Sequence, residues 1–222
     1  MRTDSTSYKS TTYKQFLSID AGEYKEKIRF VGLHSKDLKE LPLAEYMQVM
    51  DGYAEALFET GRYEEHSVIA DHIIEESIVH NIVDLGGKDL YFETLFQKAA
   101  SLYNLERTDD AIYILCELLK MQSGNESCRL FLINCFIKKR SATLLKVRHV
   151  ALAVILSSAF IIACELLIIK PFLPSFADTI EIVRNGLFLA GAGGLIIGEL
   201  SVRYQAVREM QSIETSHKQF DL

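Results

Sequence analysis

The sequence predicts an all-α protein: antiparallel helix pairs followed by a C-terminal transmembrane helical hairpin. Three observations carry this expectation. Apolar residues between positions 43 and 136 recur at spacings of three and four, the period of an amphipathic helix. Two later runs, 150–169 and 182–202, are almost wholly apolar and reach spanning length. Mean hydropathy is +0.10 although 24% of the 222 residues are charged, so the apolar excess is concentrated, and it sits in the last third.

Residues 1–41 form an N-terminal tail and a segment without a clear period. Positions 1–12 are rich in Ser and Thr and read as loose, and the short runs FLSI and IRFVGL suit strand or helix equally. The helical domain is placed at 42–140. Its first helix follows Pro42, with Leu43, Tyr46, Met47, Met50, Tyr53, Ala54, Leu57 and Phe58 on one side and Gly61 closing it as a C-cap. Tyr63, Ile69, Ala70, Ile73, Ile74 and Ile78 mark a second, after which Gly86 and Gly87 break the chain. The third covers about 90–105 and is capped by Asp89. Asp109 and Asp110 favour the start of the fourth through its dipole, and Ala111, Ile112, Leu115, Leu118 and Leu119 form its apolar face. The fifth, about 125–139, carries Cys128, Phe131, Leu132, Cys135 and Phe136.

A linker, 141–149, leads into the first span. Residues 150–169 read VALAVILSSAFIIACELLII, with Glu165 the one ionisable group. At 1.5 Å per residue this covers roughly 30 Å, a bilayer core. The segment 170–181 contains Pro171 and Pro174 and reads as a short turn before the second span, 182–202, and a tail, 203–222. A buried helical hairpin in a soluble protein is the alternative. Lys138, Lys139, Arg140, Lys146 and Arg148 stand before the first span with no acid among them. The positive-inside rule therefore predicts an integral membrane protein with two spans, both termini cytoplasmic and the turn outside. The polar first thirty residues, lacking the apolar core of a signal peptide, lead to the same expectation. Each of these basic residues near anionic lipid contributes about 1 kcal/mol, so the stretch is expected to anchor the juncture.

Within the spans, Gly186, Ala190, Gly194 and Gly198 recur every fourth residue, a small-residue stripe suited to close helix packing. Its neighbour is either the first span, through Ala153, Ser157 and Cys164, or the same stripe of a second copy, which would make a homo-oligomer. Glu165 and Arg184 reach the same depth in an antiparallel hairpin and are expected to form an ion pair. The other reading of Glu165 is a cation or proton path in an oligomer. Glu199 has Arg203 one turn away.

A net charge of −6 argues against a nucleic-acid binder. Cys116, Cys128, Cys135 and Cys164 lie in apolar surroundings and do not suggest a disulfide framework. No phosphate loop, zinc-protease motif or nucleophile elbow is present, and His66 and His72 do not share a helical face. No catalytic, cofactor or metal residues are assigned, and an enzyme is not expected. Residues 46–126 hold sixteen acids against five bases, a net of −11. That face either attracts a basic partner or is a solvated surface.

Two helix pairs share a pattern. Ala54 and Ala99 take the small position of a first helix and Leu57 and Leu102 its packing position, with Gly61 at the turn and Tyr63 just after it. His66 and Ala111 take the small position of the second helix, followed by Ala70 and Leu115. Over about 47–138 this resembles the tetratricopeptide (TPR) repeat, a helix–turn–helix unit of 34 residues. Here the units are 45 residues apart, Glu106 replaces the turn glycine, His66 is large, and the motif's tryptophan and terminal proline are absent. An ordinary helical bundle is the alternative. The resemblance implies a superhelical scaffold that takes protein segments on its concave face. The functional expectation is a membrane-anchored adaptor that binds a protein partner through the cytoplasmic helices and contacts membrane lipids through the hairpin. A small oligomeric channel or transporter accessory subunit is the other.

Overall fold

A computed structural model describes residues 4–122, 124–165, 167 and 177–218. Those residues are almost entirely helical, and the chain divides into two compact units, 1–128 and 129–222.

The first unit opens with α1 (Asp4–Leu17), α2 (Tyr24–Leu33) and the short α3 (Ser35–Leu38). The stretch expected to be a loose tail is thus helical from Asp4 onward. Its anchor is Phe16, which is buried with Leu38, Leu41 and Val49 and lies 5.8 Å, centroid to centroid, from the Phe30 ring. Thr12, one turn earlier, is also buried. Few of α1's residues are apolar, so its period is faint in the sequence.

Next come α4 (Leu43–Glu59) and α5 (Tyr63–Val79), then β1 (Asp84–Leu85), β2 (Lys88–Asp89), α6 (Leu90–Asn104) and α7 (Thr108–Met121). α4 ends in a Schellman turn: Arg62 N–H donates to Leu57 O at 2.9 Å and Gly61 N–H to Phe58 O at 3.0 Å, with Gly61 at φ +75°. α6 ends in the same way, Arg107 N–H reaching Leu102 O at 2.9 Å and Glu106 N–H reaching Tyr103 O at 3.3 Å, with Glu106 at φ +62°. After each turn an arginine ties the first turn of the next helix, Arg62 to Glu65 and Arg107 to Asp110. Such short connections make each pair antiparallel.

The likeness extends to the core. Positions 45 residues apart are buried together: Met47 with Phe92, Val49 with Thr94, Ala54 with Ala99, Ala56 with Ser101, and Leu57 with Leu102. On the second helices the matches are His66 with Ala111, Ala70 with Leu115, and Ile73 with Leu118. The extra length of the period follows from α5, which runs to Val79, and from the β-hairpin after it. Gly86 and Gly87, at φ +67° and +86°, form the hairpin turn, where both central residues need positive φ. Asp89 then caps α6, accepting from Phe92 N–H at 3.0 Å.

α8 (Glu126–Lys139) begins at the end of the first unit and continues into the second, where Leu132, Cys135 and Phe136 are buried. The second unit also contains α9 (Ser141–Cys164) and α10 (Ala177–Lys218). The segment expected as a linker, 141–149, is the first part of α9. The expected tail is helical as far as Lys218, where α10 ends after 42 unbroken residues, about 63 Å. Neither segment contains a helix-breaking Pro or Gly, and apolar residues every three or four positions continue past 202 at Val202, Ala206 and Met210, all buried. Most of the expected turn, and the end of the first span at 166 and 168–169, lie outside the described residues. Leu144–Cys164 (21 residues) and Ile180–Ile213 (34 residues) are long and apolar enough to cross a membrane. Only 11% and 6% of their most apolar stretches are buried, the reverse of a soluble protein's core helix.

Candidate functional site

The buried face of α9 and its C-cap follows a seven-residue period. Leu144, Ala151, Ser158 and Glu165 are spaced by seven along α9 and are all buried. Among the described side chains of α10 the buried positions are Gly191, Val202, Ala206 and Met210, spaced by eleven, four and four. Close approach occurs at Gly191, where a Cβ would lie 2.7 Å from Ile155 Cγ1 and 3.2 Å from the Ala151 carbonyl oxygen. It occurs again at Gly198, where a Cβ would lie 2.9 Å from Val147 Cγ1.

Of the two neighbours expected for the small-residue stripe, the first span meets it at one position. Of Gly186, Ala190, Gly194 and Gly198, only Gly198 sits in the helix–helix contact. Gly186 and Gly194 have open space where a Cβ would be, and Ala190 is exposed. On α9, Ala153 and Ser157 face outward and Ala151 and Ser158 take the buried positions. The two glycines whose Cβ would meet α9, Gly191 and Gly198, are seven apart, whereas the four-residue count from Gly186 drifts around the helix.

Charged pairs cross the hairpin along its length. Arg184 Nη1 lies 2.6 Å from Glu165 Oε2, and the second guanidinium nitrogen is 3.6 Å from Glu181. Glu165 is 2% exposed, so its charge is compensated by the guanidinium rather than by solvent. Beside it, the Ser158 hydroxyl donates to the Arg184 carbonyl oxygen at 3.3 Å. Toward the other end Arg148 reaches Glu199 at 2.7 Å, and Arg203 lies 3.6 Å from the same carboxylate. Arg140 reaches Glu209 at 2.5 Å and also bonds Gln205. Two of the five expected anchoring cations, Arg140 and Arg148, are therefore committed to the hairpin. Lys138 and Lys139 occupy the last turn of α8, where positive charge suits the helix dipole. Lys146 is exposed and lines an apolar groove of about 360 Å³ with Val147, Val150, Val154, Ala190 and Gly194.

In the first unit the histidines have structural partners. His66 is fully buried, its Nδ1 2.8 Å from the Ser101 hydroxyl and its ring edge-on to Phe58. Burial lowers its pKa. His72 Nε2 lies 2.8 Å from the Tyr46 hydroxyl. Among the described residues, no group of three or more His, Cys, Asp and Glu side chains is placed to hold a metal ion. Burial pushes the Cys128 thiol up to about 11, assisted by the nearby Glu93 carboxylate, so it is a protonated core group at neutral pH. A cleft of about 550 Å³ is lined by Lys27, Gln48, Asp51 and Lys88 among others. Burial raises the Asp51 pKa, with Lys88 opposing. The sequence reading missed this cleft, since Lys27 lies in the segment it left unassigned.

Comparison with protein-family models, curated proteins and solved structures finds no match to this chain. What stands is the class the geometry defines: a chain whose described residues are almost entirely helical and include two helices long and apolar enough to cross a membrane.

Proposed function

We propose that the protein is a membrane-anchored adaptor whose helix pairs bind a protein partner on the cytoplasmic side while the α9–α10 hairpin holds it in the bilayer. The supporting observation is the internal repeat. Two helix–turn–helix units share a Schellman turn, an arginine tie and eight matching buried positions at a period of 45 residues. Stacked units of this kind, similar to tetratricopeptide repeats, offer extended surfaces suited to polypeptide segments. Two of the departures from that pattern have local explanations. Ser101 gives His66 a hydrogen-bond partner, and Glu106 adopts the left-handed conformation that the turn requires. The acidic surplus of 46–126 favours a partner segment rich in Lys and Arg. The five basic residues before the first span favour a cytoplasmic orientation of both termini.

The test is co-purification of the full-length protein from gently solubilised membranes, with and without charge reversal at Glu59 and Glu64, exposed on the first helix pair. The expected result is a protein partner that is retained by the native chain and weakened by the reversal. Partner retention that follows the hairpin alone, together with cation flux in reconstituted vesicles abolished by Glu165→Gln, would support the channel-subunit reading instead.

A further inference from the structure

The flank of the α9–α10 hairpin carries a groove that is apolar along its walls and charged at one end. It runs along Val147, Val150 and Val154 of α9 and Ala190 and Gly194 of α10, with Lys146 at its mouth. From Lys146 to Val154 the groove extends about 12 Å along the helix axis. Its floor is open because Gly194 has no side chain and nothing lies within 4 Å of where a Cβ would be. The neighbouring cations are engaged elsewhere, Arg148 with Glu199 and Arg140 with Glu209. Among the described residues, Lys146 has no ion-pair partner. It stands one turn before the apolar run that begins at Val150, the depth of a headgroup when that run crosses a bilayer.

We infer that this groove binds one anionic phospholipid, its phosphate on Lys146 and an acyl chain laid along the valines and over Gly194. The inference rests on the membrane reading above. Charge complementarity selects the occupant: an acyl chain matches the groove wall and an anionic headgroup matches the unpaired ammonium. A second copy of the hairpin would bring its own Lys146 toward the same place and leave both charges unmatched.

The test uses full-length protein reconstituted in phosphatidylcholine bilayers containing acyl-chain spin-labelled phosphatidylglycerol or phosphatidylcholine. Electron paramagnetic resonance then reads the fraction of each label immobilised by protein. The native chain is expected to prefer phosphatidylglycerol about fivefold, the equivalent of ~1 kcal/mol for one cation at an anionic headgroup. Lys146→Gln and Gly194→Leu should each bring the preference close to one. The first removes the headgroup partner and the second fills the groove, while circular dichroism checks that the hairpin remains helical. Arg208→Gln, which removes an exposed cation away from the groove, should leave the preference in place. Equal loss in Arg208→Gln would show diffuse surface attraction and overturn the inference, as would a preference that survives both groove variants. Inter-protomer crosslinks through Cys at Val150 would also overturn it, showing the groove filled by a second copy. Carbonate-washed vesicles are floated in parallel. Protein that fails to float sinks the membrane reading itself, whereas floating protein without lipid preference sinks only this inference.

Discussion

Replacing Gly191 by alanine drives a methyl group into the contact between α9 and α10. The new Cβ would stand 2.7 Å from Ile155 Cγ1 and 3.2 Å from the backbone carbonyl oxygen of Ala151. The isoleucine tip can rotate away, but the carbonyl belongs to the helix, so α10 has to move outward over this turn. Overpacking of this kind costs about 1–3 kcal/mol. Alanine also improves helix propensity over glycine by about 1 kcal/mol, which partly offsets the loss. Gly194→Ala is the control that removes this second effect. It makes the same change three residues away, at a position with open space. The propensity gain cancels between the two variants, so Gly191→Ala should be less stable than Gly194→Ala by about 1–3 kcal/mol. Gly198→Ala should fall between them, since its close neighbour at 2.9 Å is only the Val147 side chain. The assay is reversible unfolding of the full-length protein in mixed micelles with increasing sodium dodecyl sulfate, followed by far-ultraviolet circular dichroism. Equal stability of the Gly191 and Gly194 variants would refute the seven-residue register of the hairpin.

Three further outcomes follow from the geometry. Glu106→Gly should raise the melting temperature of the helical unit, by about 0.5–1 kcal/mol in stability, because a non-glycine residue at φ +62° is strained; Gly61→Ala should lower it by about 1 kcal/mol or more. Burial holds the His66 imidazole below its ordinary range, so the unfolded chain takes up a proton near pH 6.5 while the folded chain does not. His66 therefore contributes its full stability above about pH 6.5 and loses it as pH falls toward its lowered folded value, and thermal melts of His66→Gln should show a shallower decline between about pH 6.5 and 5 than the native chain. In a double-mutant cycle, Arg184→Ala should destabilise the hairpin by removing the guanidinium that faces the buried Glu165 carboxylate, by up to about 3–5 kcal/mol, and Glu165→Ala in the same chain should recover much of that; coupling near zero would count against the pair.

The helices of the repeat were legible because their signals are local. Apolar spacing, Gly61 after α4, Asp89 before α6 and the paired acids opening α7 each act within a turn or two of the residue that carries them. α1 was not legible, since Phe16 acquires its meaning only from Leu38 and Val49, which are distant in sequence. In the hairpin, Glu165 and Arg184 could be matched by counting depth from either end of two apolar runs. The glycine contact could not, because fourfold and sevenfold steps coincide over one turn and separate over three. Gly191 and Gly198 are seven apart, yet Gly191 falls between the positions of the fourfold stripe. The partial withdrawal of the basic stretch into ion pairs was hidden for a similar reason. Glu199 and Glu209 lie more than fifty residues from Arg148 and Arg140, and only the antiparallel register brings them together.

The central claim is that α9 and α10 form a two-span hairpin that leaves the helical unit on the cytoplasmic side. Its most direct test is compartment-specific labelling of single cysteines in the full-length protein in sealed cells, with the native cysteines replaced by Ala or Ser. Cysteines are placed at Thr11, at Ala177 and at Ser212, and a membrane-impermeant maleimide is applied from outside. The account predicts labelling at position 177 alone, with positions 11 and 212 reacting only after the membrane is permeabilised. Labelling of either terminal site in intact cells, or of position 177 only after permeabilisation, would contradict it.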